Sequence, residues 1–238
     1  MENRCKGSSY KESDLNTMKK LDEYKLVIWD LDGTLYFQKE FRLKMTMVLL
    51  QNLVFTPTHW KDAFVILKYR SLREKWDASD TGVGLEERQY VEAGKSFGMS
   101  AGQVEKIISH WILEEPLLHL KVYRDETAAK TIEKLQAKGI ETIVYSDYPT
   151  VDKLKALDIM VSGSYAATDE VISCMKPNPK GLQYIIEKYQ IAKEDTIMIG
   201  DRMEKDGEAA KAVGIDYLIL ERERKNRKLQ YEKGIGLL

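Results

Sequence analysis

Leu26-Val27-Ile28-Trp29-Asp30-Leu31-Asp32-Gly33-Thr34-Leu35 is the stretch that decides the reading of this chain. An apolar run of strand length ends by presenting two carboxylates one residue apart, and the chain then breaks at a glycine. In open α/β sheets, ligands collect beyond the carboxyl ends of the strands. A carboxylate pair placed there can bind a cation, attack an electrophile or shuttle a proton. With each fixed residue type used at about 5 to 7%, Asp-x-Asp-Gly-Thr arises by chance roughly once in 10⁵ positions.

Beyond this strand, helical patterns dominate as far as about Val122. Phe41 to Phe55, Lys61 to Trp76, Leu85 to Phe97 and Ala101 to Leu113 carry apolar residues at helical spacing, punctuated by Gly82-Val83-Gly84, Gly98-Met99-Ser100, Pro57 and Pro116. From Asp125 the rhythm changes to alternating helix and strand. Glu126 to Lys138 reads as a helix closed by Gly139, and Ile140 to Tyr145 as a strand ending at Ser146-Asp147. A helix over Thr150 to Ala156 and a short strand at Ser164 to Ala167 follow. Next come the loop Lys176-Pro177-Asn178-Pro179, a helix through Tyr189, the strand Thr196 to Ile199 ending at Gly200-Asp201, a helix through Ala212 and a strand at Ile215 to Leu220. Strands alternating with helices imply a Rossmann-like parallel sheet covered on both faces. The predicted fold is therefore α/β, with a core built from residues 23–35 and 123–238 and an all-helical insert at 36–122. Residues 1–22 read as a polar leader with the makeup of a disordered segment, and the charged tail from Glu221 to Lys233 as a surface segment.

Composition narrows the function classes. The 238 residues carry 37 basic and 38 acidic side chains, a net charge of -1 that does not suit a nucleic-acid binder. Cys5 and Cys174 lie far apart with no CxxC spacing, which points to neither a disulfide framework nor a zinc site, and Cys174 reads as a small buried filler. No apolar run has the length of a membrane span, and the N-terminus lacks the apolar core of a signal peptide. A soluble protein of the reducing cytoplasm is expected. The sequence sets no oligomeric state.

Three strands end in polar residues suited to one reaction, and a lysine in a proline-rich loop adds a fourth element. Taken singly, Asp201 or Asp206 reads as a helix cap or surface residue, Lys176 as a solvated lysine, and Ser146 as a common post-strand serine. Their order along the chain, Asp30/Asp32, Ser146, Lys176, Asp201/Asp206, is what gives them meaning. It resembles the four motifs of the haloacid dehalogenase superfamily, in its phosphatase branch, over about residues 25 to 220. The strongest parts are Asp-Leu-Asp-Gly-Thr-Leu at 30–35 and Gly-Asp-Arg-Met-Glu-Lys-Asp at 200–206. Thr168-Asp169-Glu170-Val171 followed by Met175-Lys176-Pro177-Asn178-Pro179 also looks like the approach to the third motif.

The resemblance implies a magnesium-dependent phosphatase acting on a small phosphorylated metabolite. Asp30 would attack phosphorus to form an aspartyl-phosphate. Asp32 would give a proton to the leaving oxygen and take one from the hydrolytic water. Asp30, Asp201 and the main-chain carbonyl of Asp32 would hold Mg2+, with Asp206 orienting the metal shell from behind. Ser146, Asp147 and Lys176 would bind the phosphoryl group, Lys176 also offsetting the charge on Asp30. A phosphomutase of the same fold and a catalytically silent phosphate- or partner-binding protein are the alternatives. The dehalogenase branch is disfavoured because it needs neither the metal nor a proton-carrying second Asp.

The insert is where the superfamily carries a cap that selects the leaving group. Here it contains Lys39, Arg42, Lys44, His59, Lys61, Lys68, Arg70, Arg73 and Lys75, with Trp60, Trp76 and Trp111. Arg70 and Arg73 share one helical face and are the candidate substrate-specificity pair. The chain departs from many relatives just after the first motif, where Tyr36-Phe37-Gln38 replaces a small polar pair, so the cap entrance is expected to be more aromatic.

Overall fold

The computed structural model describes residues 19–56, 59–75 and 84–232; most of the polar leader, with Cys5, and Trp76 lie outside the described residues. Five strands, β1 (Leu26–Trp29), β2 (Glu141–Ser146), β3 (Gly163–Ala166), β4 (Thr196–Gly200) and β5 (Asp216–Ile219), form one sheet in the order β3-β2-β1-β4-β5. Every pairing is parallel, as the strand–helix alternation predicts. Because β1 is central and the chain adds strands first on one side and then on the other, its carboxyl end is the point where the winding reverses. That position is where such sheets open a crevice for a ligand.

Ten α-helices accompany the sheet in the described residues. The first five are α1 (Gln38–Phe55), α2 (Trp60–Lys75), α3 (Leu85–Lys95), α4 (Ala101–Ile108) and α5 (Leu117–Leu120). The other five are α6 (Glu126–Ala137), α7 (Val151–Leu157), α8 (Lys180–Tyr189), α9 (Glu208–Val213) and α10 (Arg224–Glu232). Successive side chains of a strand point to opposite faces, and β1 uses all four of its residues this way. Val27 and Trp29 join the cluster containing Ala128, Ile132 and Leu135 of α6. Leu26 and Ile28 join the one containing Leu182 and Ile185 of α8 and Ala209 and Val213 of α9. Each large apolar side chain buried in this way contributes about 1.5–3 kcal/mol. A continuous apolar run is therefore the correct sequence for a strand covered on both sides.

The insert folds around a cluster of its own, with Val65, Ile66, Tyr69, Tyr90, Val104, Ile108 and Trp111 at its centre. Its two crossings to the sheet lie side by side. Phe37 N donates to Tyr123 O at 2.9 Å, Asp125 N donates to Leu35 O at 2.9 Å, and Tyr36 and Arg124 form an antiparallel bridge. The helix expected over Ala101 to Leu113 starts with a Ser100–Gln103 capping box but relaxes at Ser109–Glu114 into a π-helical turn before Pro116. Apolar spacing does not separate these two windings.

Two sequence expectations need correction. Leu21, placed in the leader, is buried in the main core, so packing begins before residue 23. The charged tail does form a surface helix, α10, but one of its residues is not at the surface. Arg227 of α10 is completely buried and donates to Gly33 O at 2.6 Å, Thr34 O at 3.0 Å and Asp125 Oδ2 at 3.2 Å. Polar composition alone conceals one arginine that reaches inward while its neighbours face water.

Candidate active site

The site stands on the carboxyl ends of the three adjacent strands β2, β1 and β4. Asp30, one residue past β1, remains tied to the sheet through its N–H to Ile199 O at 2.8 Å. Its Oδ1 accepts from Lys176 Nζ at 2.6 Å and its Oδ2 from Thr34 Oγ1 at 2.9 Å. Lys176 is buried, and its ammonium also donates to Asp206 Oδ1 at 2.7 Å and to Tyr145 O at 3.3 Å. The lysine's backbone is fixed as well, its N–H donating to Asp147 Oδ1 at 3.0 Å and its carbonyl accepting from Lys205 Nζ at 2.7 Å. Burial works against the Lys176 charge, but Asp206 and Asp30 outweigh it and hold the ammonium well above the ordinary lysine range. Burial pushes Asp30 up strongly; Lys176 opposes that, and the carboxylates of Asp206, Asp201 and Asp32 add to it.

Asp30, Asp201 and Asp206 each bring a carboxylate oxygen to within 4.8 Å of the others. Asp201 Oδ1 is buried with no hydrogen-bond partner, while Oδ2 lies 3.2 Å from Arg222 Nε. A buried polar atom left unpaired costs about 1–3 kcal/mol, and more when charged. Burial, then the charge of Asp206, pushes Asp201 up to about 6. Clustered anionic oxygens, one of them orphaned, are what a hard divalent cation such as Mg2+ requires, so the donor set fits that ion. Two glycines make this approach possible. A Cβ on Gly33, whose φ is +105°, would stand 2.5 Å from Asp201 Oδ2, and one on Gly200 would stand 2.3 Å from Asp206 Cγ.

Asp32 is held differently. Its Oδ1 accepts from Tyr36 Oη and from Lys153 Nζ, both at 2.5 Å, and its Oδ2 from Ser146 Oγ at 3.1 Å. Burial would raise this carboxyl, but Lys153, Tyr36 and Ser146 together hold it below the usual carboxylate range. The sequence reading asks Asp32 to carry a proton; in the resting site it is an ionised, clamped group. Ser146, expected on a phosphoryl oxygen, here donates to Asp32 and accepts from Tyr148 N at 3.2 Å. Asp147, also expected on the phosphoryl group, commits one carboxylate oxygen to the lysine loop.

Of the two candidate cap residues, Arg73 is buried and already engaged. Its guanidinium lies 4.0 Å over the Tyr148 ring and donates to Tyr69 Oη at 3.1 Å, to Gln89 Oε1 and to Asp147 O. It ties the cap to the end of β2. Arg70 lines a cavity of about 220 Å³ that contains Asp30, Asp32, Ser146, Lys176 and Asp201. Across the seam between cap and core, Arg202 makes a two-bond pair with Glu74 at 2.9 and 2.8 Å.

The clamp residues Tyr36 and Lys153, the loop-holding Arg227 and the Asp201 partner Arg222 have no motif of their own. Only Tyr36 carried a signal, as the aromatic departure after Asp32. The others act across more than a hundred residues or from a segment whose composition suggests a surface.

Comparisons with known proteins identify the family and the fold. The family model of haloacid dehalogenase-like hydrolases matches residues 24–214. A glyceraldehyde 3-phosphate phosphatase of Methanocaldococcus jannaschii is 25% identical over 195 residues, which are 79% of this chain and 81% of that protein. Among solved structures, a 2-haloacid dehalogenase of Pseudomonas syringae is 16% identical with a TM-score of 0.59, over 83% of this chain and 86% of that one. The HAD-hydrolase YfnB of Bacillus subtilis, bound to magnesium, is 16% identical with a TM-score of 0.56, over 83% and 87%. The sheet, the helical insert and the carboxylate-bearing strand ends define an α/β hydrolase with an inserted cap. The chain belongs to the haloacid dehalogenase-like hydrolase family.

Proposed function

We propose that this hydrolase is a magnesium-dependent phosphatase that cleaves a small phosphomonoester through an aspartyl-phosphate on Asp30. The observation that carries the reading is the buried, partnerless Asp201 oxygen beside an Asp30 held by Lys176, with a second carboxylate, Asp32, lining the same cavity. A haloacid dehalogenase requires neither a cation site nor a second Asp, and the phosphatase named among the relatives supports the same choice.

Phosphate esters resist attack because their anionic oxygens repel nucleophiles. Lys176 lies where it offsets both the charge of Asp30 and that of an incoming phosphoryl oxygen. Magnesium, when bound by Asp30 and Asp201 with Asp206 behind them, supplies further charge neutralisation. Asp30 forms a bond to phosphorus as the bond to the leaving alcohol breaks, and Asp32 delivers a proton to the departing oxygen. Water then attacks the same phosphorus, Asp32 takes its proton, and Asp30 is released with inorganic phosphate. The clamp on Asp32 opposes its protonation in the resting site, so the substrate must supply the change. A phosphoryl dianion beside Asp32 disfavours its charge and lets it bind the proton that Lys153 and Tyr36 otherwise exclude.

The test is a phosphomonoester screen with magnesium, with and without chelator. Chelator-sensitive phosphate release supports the reading. Halide release from a haloacid that ignores chelator would replace it with dehalogenation, and inactivity throughout would favour a silent binding protein.

A further inference from the structure

Arg42 of α1 and Arg70 of α2 both line the 220 Å³ cavity and a smaller adjoining one of about 50 Å³ on the cap side of Asp32. Neither guanidinium has a hydrogen bond or ion pair among the described residues. Arg70 is largely withdrawn from water, and burial, with the charge of Arg42 adding to it, lowers its affinity for its own proton. Two of the acids nearby are taken. Asp32 is paired with Lys153, and Glu74, which feels the charge of Arg42, gives both oxygens to Arg202. Tyr148 and Asp32 offset part of the Arg70 charge through space, and Arg42 is exposed to water. Even so, two guanidiniums that repel each other and make no direct hydrogen bond or ion pair among the described residues are a place where an anionic ligand binds favourably. The other arginine of this wall, Arg73, already has partners and shows what a structural guanidinium looks like here.

The location decides which part of a ligand the pair would meet. The phosphoryl end is provided for at Asp30, Lys176 and Ser146. Arg42 and Arg70 line the 220 Å³ cavity and also the smaller one shared with Asp32, Tyr36 and Lys153, on the side toward which Asp32 must hand its proton. We propose that Arg42 and Arg70 form a subsite for a second anionic group on the leaving alcohol. The substrate is then a small phosphomonoester bearing a carboxylate or a second phosphate a few bonds from the ester. This inference rests on the phosphatase reading for the orientation of the substrate. The 220 Å³ cavity itself suits a metabolite of a few carbons, and Arg42 and Asp201 also line a more open one of about 570 Å³.

Three probes on one two-carbon frame test it: hydroxyethyl phosphate, phosphoglycolate and ethylene glycol bisphosphate, with magnesium. The expected result is a kcat/KM for phosphoglycolate or the bisphosphate about 10- to 100-fold above that for hydroxyethyl phosphate, and the larger ratio says which anion the subsite takes. Arg70→Gln and Arg42→Gln should each shrink that ratio about tenfold. Ratios near one in the unaltered protein overturn the subsite. So does a ratio unchanged in both variants, because arginines that only support the fold or grip the phosphoryl group would affect all three probes alike. Turnover of p-nitrophenyl phosphate reports on the phosphatase reading separately. Should no probe be hydrolysed, calorimetric binding of the same three compounds to the magnesium-loaded protein decides. Tighter binding of a dianionic-frame probe than of hydroxyethyl phosphate, by the same factor, sustains the subsite, and equal binding overturns it.

Discussion

The floor of the site and its cap wall spend charge in opposite ways. On the floor, Lys176, Asp30 and Asp206 are buried and hydrogen-bonded to one another or to backbone, half-buried Asp32 is held by Tyr36, Lys153 and Ser146, and the orphaned oxygen of Asp201 stands out among them. On the wall, Arg42 and Arg70 have no hydrogen bond or ion pair among the described residues, while Arg73 is engaged. A floor arranged in advance suits a reaction step common to many substrates, because preorganised charges need not rearrange as the bond breaks. A wall whose cations lack a direct partner suits selection, because only the right molecule supplies one.

The largest effect should come from the floor. Asp30→Asn removes the attacking oxygen while keeping shape and hydrogen-bonding capacity, and phosphate release should fall about 10³-fold or more with the thermal transition retained. Activity near the original would break the distinction between floor and wall. Next is the support beneath the floor. Arg227→Met strands the Gly33 and Thr34 carbonyls and leaves Asp125 with Tyr231 and the first turn of α6 as its partners. Stability in urea should drop by about 3–5 kcal/mol, the scale for breaking a buried pair from one side.

Cation binding should sharpen the contrast further. At magnesium 100 times its Kd, the protein should gain about 2.7 kcal/mol, seen as a higher Tm. The gain should depend on pH with a definite sign. Asp201 is raised from 3.8 to about 6 in the metal-free fold, so its favourable contribution is complete below about pH 4 and lost as pH rises through 6. Protons also compete with the cation for it. The magnesium-induced shift in Tm should therefore be larger at pH 7.5 than at pH 5. The smallest effect belongs to the seam: Glu74→Gln breaks an ion pair that is partly solvent-exposed and should change stability by under about 1 kcal/mol.

The floor was more legible in the sequence than the wall or the supports, for physical reasons. Asp30, Asp32, Ser146, Lys176 and Asp201 each follow a strand or sit in a proline-rich loop, and local composition marks such places. The parallel sheet was legible for the same reason, since a run such as Leu26–Trp29 that is apolar at every position reads as a strand covered on both faces. The clamp on Asp32 was not, because Lys153 resembles any other lysine of a short helix until the fold carries it across 121 residues. Arg227 was hidden among the surface charges of α10. In α1, apolar residues occur on both faces: Phe41 and Met45 are buried while Leu43, Met47 and Leu50 are exposed. Spacing there does not reveal which arginine faces the cavity, and the pairing of Arg70 with Arg73 along one helix was therefore a weaker guide than the meeting of Arg70 with Arg42 across two.

The central claim is that Asp30 becomes phosphorylated during turnover. Acid quenching of the magnesium-loaded protein in the presence of a hydrolysable phosphomonoester, followed by peptide mapping, tests it directly. The account predicts one phosphoryl group on the peptide that contains Asp30, absent from Asp30→Asn and absent when chelator is added first. Steady hydrolysis with the phosphoryl group on a different residue, or with none trapped under conditions that preserve an acyl phosphate, would contradict it.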